Sequence, residues 1–507
     1  MKKSSRSQKA FINTIAAFSD ELAALVCGLI LPRLILLHFG SSYNGILSSI
    51  TQFISCITLM KAGIGGVTRA ALYKPLAENN NRDISMIVVQ TERFMRKVAL
   101  IFIFCIVVFA IAYPVFINTE FDLWFSSTLI LIVALSTFSQ YYFGITYHML
   151  LAADQKQSIT LFLNMASTIL STLLAVVIMC CGGSIHLVKL GSSAVFVLSP
   201  LLLCFYVRKQ YRIDRTVTGQ HDMIRQRWDA LGHEIANFVN TNTDIIILTV
   251  FSSLREVSVY TVYNYVISAI RRFVTNFIIG FGAAFGNMYA KKEFGLMHSN
   301  FKLYELIVFS LSSVIYAVTF VMITPFVMLY TSGVHDVNYY RPVFGIVFTL
   351  AGIFSCFRIP YETVVKAVGH YRQTRNASFA EAGINILLSL VCVCKFGIVG
   401  VVIGTLVATV FRTCLYAAYL SKIILRRSIF LFVKHVLTSL GICAVTYFIS
   451  TFYFIPTDTI WLWVLMAAVT FVIATVLTVI TNLTLYFDDS KRLVQKMVCT
   501  LNRRRRQ

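Results

Sequence analysis

Residues 147–183, "YHMLLAADQKQSITLFLNMASTILSTLLAVVIMCCGG", are echoed by residues 361–398, "YETVVKAVGHYRQTRNASFAEAGINILLSLVCVCKFGI". In each, a helical stretch ends in Ala and a short polar turn. A second helix carrying Asn and Ser follows, and a Gly turn closes it, with Gly182 matching Gly397. A weaker match pairs "YNGILSSI" (43–50) with the segment around "SVYTVYNYVI" (258–267), which sets "AGIGG" (62–66) near "IGFGAAFGN" (279–287). The chain therefore reads as containing itself twice, at an offset of roughly 213–217 residues. Internal repeats of this kind are how many transporter folds are built.

The background in which the repeat sits is apolar. Of 507 residues, 57% are hydrophobic and 13% charged, and mean hydropathy is +0.75. A soluble domain carries about 45–50% apolar and about 25% charged residues, so both departures indicate a polytopic membrane protein. No stretch is polar enough for a separate soluble domain. The net charge of +22 invites a nucleic-acid reading, but the Lys and Arg are spread through short loops and no nucleic-acid module occurs, which suits topology determination instead. The twelve cysteines are scattered without zinc-type spacing, and adjacent Cys180-Cys181 is poorly placed for a bridge. They read as small apolar residues. No catalytic or metal motif appears, and no cofactor is expected. Met1–Ala10 is basic and leads into an apolar run with no small-residue cleavage site, which reads as the first spanning helix rather than a signal peptide.

A span needs about 20 mostly apolar residues. Fourteen candidates lie near 11–37, 43–73, 97–117, 123–148, 158–181, 184–207, 230–251, 256–286, 303–330, 341–362, 376–395, 398–421, 429–452 and 460–486. Positive charge alternates with them. One set of loops holds Arg93, Arg96 and Lys97, the stretch Arg208 to Arg227, Lys291 and Lys292, Arg372 and Arg375, Arg426 and Arg427, and the tail ending Arg503–Arg506. The opposite loops are nearly free of positive charge: "YPVFINTEFDL" holds two acids and no base, and "TFYFIPTDT" one acid and no base. Both termini are thus expected in the cytoplasm, with the Arg run anchoring topology and touching anionic lipid. Spans 1–6 repeat as spans 7–12. Six is even, so the halves share orientation, about an axis along the membrane normal. The expected fold is all-α: two parallel-repeat six-helix bundles, 1–207 and 230–421, joined by a linker at 208–229. Two extra helices at 422–487 and a basic tail at 488–507 follow.

Charges inside spans are costly and mark sites or partners. Here they are Asp20, Glu21 and Arg33 in span 1, Lys61 in span 2, Asp244 in span 7, Arg271 and Arg272 in span 8, Arg358 and Glu362 in span 10, Glu381 in span 11 and Arg412 in span 12. A polar cavity between the bundles with basic groups prominent would accommodate them and suit an anionic substrate, with Arg33, Lys61, Arg271, Arg272, Arg358 and Arg412 as binding candidates. The competing reading is internal ion pairing: Arg358 and Glu362 stand at i, i+4, and Lys61 stands at a depth that permits pairing with Asp20. Adjacent Arg271 and Arg272 point about 100° apart on a helix, so one faces the cavity and the other a neighbour. His148 reads as a packed helix-end residue. Asp20, Glu21, Asp244 and Glu381 are candidates to carry protons or bind Na⁺.

Taken together, "GIGGVTRAALYKPLAENN" (63–80), "NTDIIIL" (242–248), "VSVYTVYNYVI" (257–267), "FGNMYAKKE" (285–293), "RIPYETVVKAVGHYR" (358–372) and "EAGINILLSLVCVCKFGIVGVVIGT" (381–405) form a pattern. The chain resembles, over nearly its whole length, bacterial polysaccharide transporters. These are the Wzx-type lipid-linked oligosaccharide flippases of the multidrug/oligosaccharidyl-lipid/polysaccharide exporter superfamily. The resemblance implies a V-shaped pair of six-helix bundles in the bacterial inner membrane, moving an oligosaccharide on polyprenyl (undecaprenyl) pyrophosphate to the outer leaflet for O-antigen, capsule or exopolysaccharide. Its partners would be that lipid-linked glycan, membrane lipids and other polysaccharide assembly proteins. Arg33, Asp244, Arg358, Glu381 and Asn385 match the family pattern. Lys61 departs from it, since relatives often carry an acidic residue before "GIG". The rival readings are a peptidoglycan lipid precursor flippase, a multidrug antiporter and a membrane glycan polymerase. The last would be expected to need a sizeable outer loop with clustered acids, and none occurs.

Overall fold

The computed structural model describes residues 6–61, 64–117, 120–217, 242–278, 281–453, 459–493 and 495–496. Among these the chain is helical throughout. The helices are α1 (Arg6–Phe39), α2 (Ser41–Ile57, closed by a 3₁₀ turn Thr58–Lys61), α3 (Ile64–Glu78), α4 (Asn81–Phe116), α5 (Leu123–Ser139), α6 (Ile145–Ala153), α7 (Gln157–Cys180) and α8 (Ile185–Gln210). Beyond 218–241, which lies outside the described residues together with most of the expected linker, come α9 (Asn242–Phe251), α10 (Leu254–Ile278), α11 (Phe281–Ala290), α12 (Phe294–Tyr330), α13 (Pro342–Ala367), α14 (Tyr371–Tyr419), α15 (Phe430–Ser450) and α16 (Ile460–Leu485).

Ten helices among the described residues are long and apolar enough to cross a membrane, or eleven if α10 and α11, bent by 44° at their junction, form one span. The expected fourteen exceeds this count, and the difference falls at identifiable places. The apolar helix Gln373–Ile424 has 52 residues. At about 1.5 Å per residue it would be about 78 Å long, far beyond a hydrocarbon core of about 30 Å. It is folded at Gly397, where φ is 54° and ψ is −132°, a left-handed conformation that glycine adopts without a Cβ clash. Span 2 is split into α2 and α3 about residues 62–63, outside the described residues. α9 is short, and the residues before it are also outside.

The chain divides into two compact units, Met1–Ser258 and Val259–Gln507. In the first, α7 packs against α1 and α8, and α5 against α4 and α8. Its core gathers Ile46, Ile50, Phe102, Leu129, Ile130 and Val188. In the second, α12 packs against α13, α15 and α16, and α13 against α14, around Phe301, Phe309, Tyr316, Phe357 and Tyr361. Many large apolar side chains stay exposed, among them Phe104, Ile111, Leu387, Val391, Leu437 and Phe448. This is how a chain solvated by lipid rather than water is patterned, since helices satisfy their own backbone and can present apolar faces outward.

Left-handed turn residues stand at Asn79 and Lys292, at Gln155 and Gly369, and at Gly182 and Gly397, separated by 213, 214 and 215 residues. Caps also shape the helices. The Asp83 N–H donates to Asn80 Oδ1 at 3.2 Å and the Asn80 amide donates to Asp83 Oδ2 at 2.8 Å, closing the start of α4. Asn80→Ala is expected to cost about 1 kcal/mol, read as a small drop in melting temperature in detergent with transport retained.

Candidate functional site

The second unit brings three of the expected residues into one buried cluster. Glu381 lies on the first arm of α14, Arg412 on its second arm, and Arg358, Glu362 and Lys366 follow one another at i, i+4, i+8 on α13. The turn at Gly397 lays the two arms side by side, so that Glu381 and Arg412, 31 residues apart, meet. Arg358 Nη1 donates to Glu381 Oε1 at 2.8 Å, and Arg412 Nη1 donates to Glu381 Oε2. Arg358 Nε reaches Glu362 Oε2 at 3.2 Å, and Arg412 Nη2 stands 3.8 Å from Glu362 Oε1. Lys366 Nζ binds the same Oε1 at 2.8 Å. Glu381 is fully buried, Arg358 and Arg412 nearly so, while Lys366 is half-exposed. Three cations therefore face two carboxylates, and the surplus positive charge is at the exposed end. Buried ions at this depth persist only when paired and hydrogen-bonded.

Asn385 is one turn along from Glu381. Its Oδ1 accepts from Ser389 Oγ at 3.0 Å and Thr405 Oγ1 at 3.4 Å. Its buried Nδ2 has no hydrogen-bond partner. Much of "EAGIN…GVVIGT" serves packing: a Cβ on Gly400 would stand 2.2 Å from the Cys392 carbonyl oxygen, and one on Gly404 2.3 Å from Ser389 Oγ.

The other expected residues do not join this cluster. Arg271, partly buried on α10, acts electrostatically on Tyr316 and Cys356 of its own unit, whereas Arg272 is exposed. Lys61 ends the 3₁₀ turn just before the break in span 2; its side chain lies outside the described residues, and with it the expected pairing to Asp20. Asp20 and Glu21 are half-buried mid-way along α1, Arg33 is exposed nearer its end, and His148 is partly buried on α6. Asp244 is buried on α9. In the first unit α2 passes into a 3₁₀ turn at Thr58–Lys61, and in the second α10 and α11 are bent by 44° to one another. Interrupted helices are where transporters place substrate and ion sites. Among the described residues no group of three or more His, Cys, Asp or Glu could hold a metal ion.

Sequence reasoning missed a second buried ion pair. Glu305 on α12 accepts a two-pronged contact from Arg427, Nη1 to Oε2 at 2.6 Å and Nη2 to Oε1 at 2.5 Å, and a hydrogen bond from the Tyr361 hydroxyl. His435 Nε2 stands 3.8 Å away and the Arg427 guanidinium lies 4.7 Å over the Phe301 ring. The repeat was the signal that could have found it. In the first unit Tyr147 donates to Glu92, and Arg215 stands 3.8 Å from Glu92. Glu92 and Glu305, Tyr147 and Tyr361, Arg215 and Arg427 are separated by 213, 214 and 212 residues.

No family model matches the chain, and no curated protein matches it. Among solved structures, the chain is similar to the lipid II flippase MurJ in an inward closed conformation, with a TM-score of 0.70 at 15% identity, covering 94% of this chain and 99% of that one. It is similar to a multidrug resistance MATE family transporter of the MOP superfamily in its inward-facing conformation, with a TM-score of 0.60 at 12% identity over 80% and 98%. It is also similar to the MATE multidrug transporter DinF-BH in complex with R6G, with a TM-score of 0.59 at 15% identity over 83% and 98%. These likenesses show the fold, which this chain shares with those structures. With the apolar helices, that fold makes the chain a multi-pass membrane protein.

Proposed function

We propose that this chain is a flippase that carries an undecaprenyl-pyrophosphate-linked oligosaccharide across the bacterial cytoplasmic membrane by alternating access, for O-antigen, capsule or exopolysaccharide assembly. In this reading it has fourteen spans in two six-helix repeats plus two helices, and both termini are cytoplasmic. The observation that carries the reading is its likeness to a lipid II flippase along nearly the full length of both chains. The sequence motifs point within that fold to polysaccharide units. The reading is tested with purified protein in liposomes and a deletion strain. Failure to translocate any lipid-linked glycan, with surface polymer still made by the deletion strain, removes it.

In this reading the pyrophosphate is met by Arg33, Lys61, Arg271 and Arg272, with Arg358 and Arg412 joining when Glu381 or Glu362 releases them. Asp20, Glu21, Asp244 and Glu381 couple transport to protons or Na⁺. Losing one cation–phosphate contact costs about 2 kcal/mol, so Lys61→Ala is expected to slow flipping by more than tenfold, about 1.4 kcal/mol. Adding Asp20→Ala is expected not to restore it. Restoration by the double change would make Lys61 an ion-pair partner instead.

A peptidoglycan precursor flippase is the second reading, favoured by the same structural neighbour. Rescue of a strain lacking that flippase decides for it. The MATE neighbours keep a multidrug antiporter in view, read by drug resistance on overexpression.

A further inference from the structure

The duplicated Tyr–Glu–Arg cluster is not the same in the two units. In the second, one guanidinium meets one carboxylate in two short bonds, and Asp488 and Asp489 line the same cavity of about 320 Å³ as Lys302 and Lys434. In the first, two guanidiniums stand beside a single carboxylate and a third, that of Arg208, neighbours the tyrosine bonded to it. Arg96 Nη2 stands 3.7 Å and Arg215 Nη2 3.8 Å from the same oxygen, Glu92 Oε2, both beyond hydrogen-bonding distance. Arg208 neighbours Tyr147, whose hydroxyl donates to Glu92. Arg96 is propped 5.2 Å over the Tyr142 ring, and its buried Nε has no hydrogen-bond partner. Asp214, next in the chain to Arg215, is taken by the Thr216 N–H at 2.9 Å and hydroxyl at 2.7 Å. Among the described residues, Glu92 is the one carboxylate within ion-pair distance of Arg96 or Arg215.

Its depth is set by its helices. The apolar run of α4 begins at Val98, two residues after Arg96. The apolar run of α8 ends at Val207, and Arg208 is in that helix's last turn. Arg96 and Arg208 therefore stand where a spanning helix leaves hydrocarbon, at head-group level, and Arg215, in the stretch after α8, is placed beside them by its approach to Glu92; the side chains are 40% exposed at Arg96 and 48% at Arg215.

We propose that Arg96, Arg208 and Arg215 form a binding site for the phosphate of a lipid head group at that face of the first unit. Guanidiniums present forks that match phosphate oxygens, and basic pockets between spanning helices hold phosphate head groups. Glu92 and Tyr147 keep the forks convergent, and the phosphate supplies the anion that the second unit draws from its own carboxylates. The phosphate has two sources, an anionic phospholipid of the bilayer or the polyprenyl pyrophosphate of the proposed substrate; only the second rests on the flippase reading.

The test is native mass spectrometry of the purified full chain titrated with phosphatidylglycerol and, separately, with undecaprenyl pyrophosphate. Combined Arg96→Gln, Arg208→Gln and Arg215→Gln is expected to weaken binding of the tighter lipid at least about tenfold. Glu92→Gln is expected to strengthen it, a change of sign that a purely structural cluster does not give. Lys209→Gln, an exposed neighbour, removes one charge outside the cluster and is expected to change affinity less than about twofold. Tighter phosphatidylglycerol identifies bilayer lipid as the occupant, and tighter undecaprenyl pyrophosphate identifies the substrate. Binding is read without transport, so it stands apart from the flipping assay. Unchanged affinity in a folded triple variant, or equal loss in Lys209→Gln, overturns the proposal. If the triple variant does not fold, absence of a gain in Glu92→Gln overturns it.

Discussion

Glu381→Gln is expected to destabilise the second unit by roughly 3–5 kcal/mol, because it strips one carboxylate from two buried guanidiniums. Glu381 is 0% exposed, and Arg358 and Arg412 are each 3% exposed. Gln keeps the volume and one acceptor oxygen but none of the charge, so the loss isolates electrostatics from packing. Arg412 is left with Glu362 at 3.8 Å, too long for a hydrogen bond. The expected readout is a large fall in melting temperature in detergent and loss of transport. Replacing Arg358, Glu381 and Arg412 together by Met leaves the Glu362–Lys366 pair intact. It is expected to restore much of the stability, since apolar replacement of a whole buried network is often neutral or better, while transport stays lost. A Glu381→Gln protein that melts within a degree of the parent would show that the cluster does not hold the fold. A triple variant that still transports would remove the cluster from the transport cycle.

Gly45→Ala is expected to be comparably severe, for a steric reason. A Cβ on Gly45 of α2 would lie 1.8 Å from the Leu254 carbonyl oxygen and 2.6 Å from its carbon, at the start of α10. Both obstacles are backbone, so no rotamer can move aside. The helices must part, and everything along the seam parts with them. Asn44 Nδ2 donates to Ser258 Oγ at 2.8 Å, Thr249 Oγ1 to Ser49 Oγ at 3.0 Å, and Gln52 pairs with Asn242. Arg255 Nε holds Glu120 at 3.4 Å nearby. Overpacking a tight interior costs about 1–3 kcal/mol and sometimes more, and here the lost seam bonds add to it. Thermal melts and liposome transport check the result; wild-type values in both would mean that the close approach is not needed.

How much was legible depended on range. That α14 must turn near Gly397, and that Gly182 does the same job, was readable from the repeat, because a left-handed turn constrains the local residue type. The apolar runs declared a membrane chain because hydrocarbon tolerates only residues of that kind in bulk. The i, i+4 pair Arg358–Glu362 was also readable, since helical spacing alone brings such residues within reach. Glu381 and Arg412 were visible as intramembrane charges, but not as each other's partners. Arg427 and Glu305 were passed over because, at the ends of apolar runs, they look like ordinary topology charges.

Composition and spacings within a few turns are enough to read the class of solvent, the helical architecture and which charges fall within apolar runs. Only the tertiary structure decided which charges neutralise one another. It tied Arg358 and Arg412 to one carboxylate, closed Arg427 on Glu305, and left Arg96 and Arg215 beside Glu92. Those outcomes turn on ångström distances between helices distant in the chain, and Coulomb and hydrogen-bond energies change sharply over such distances.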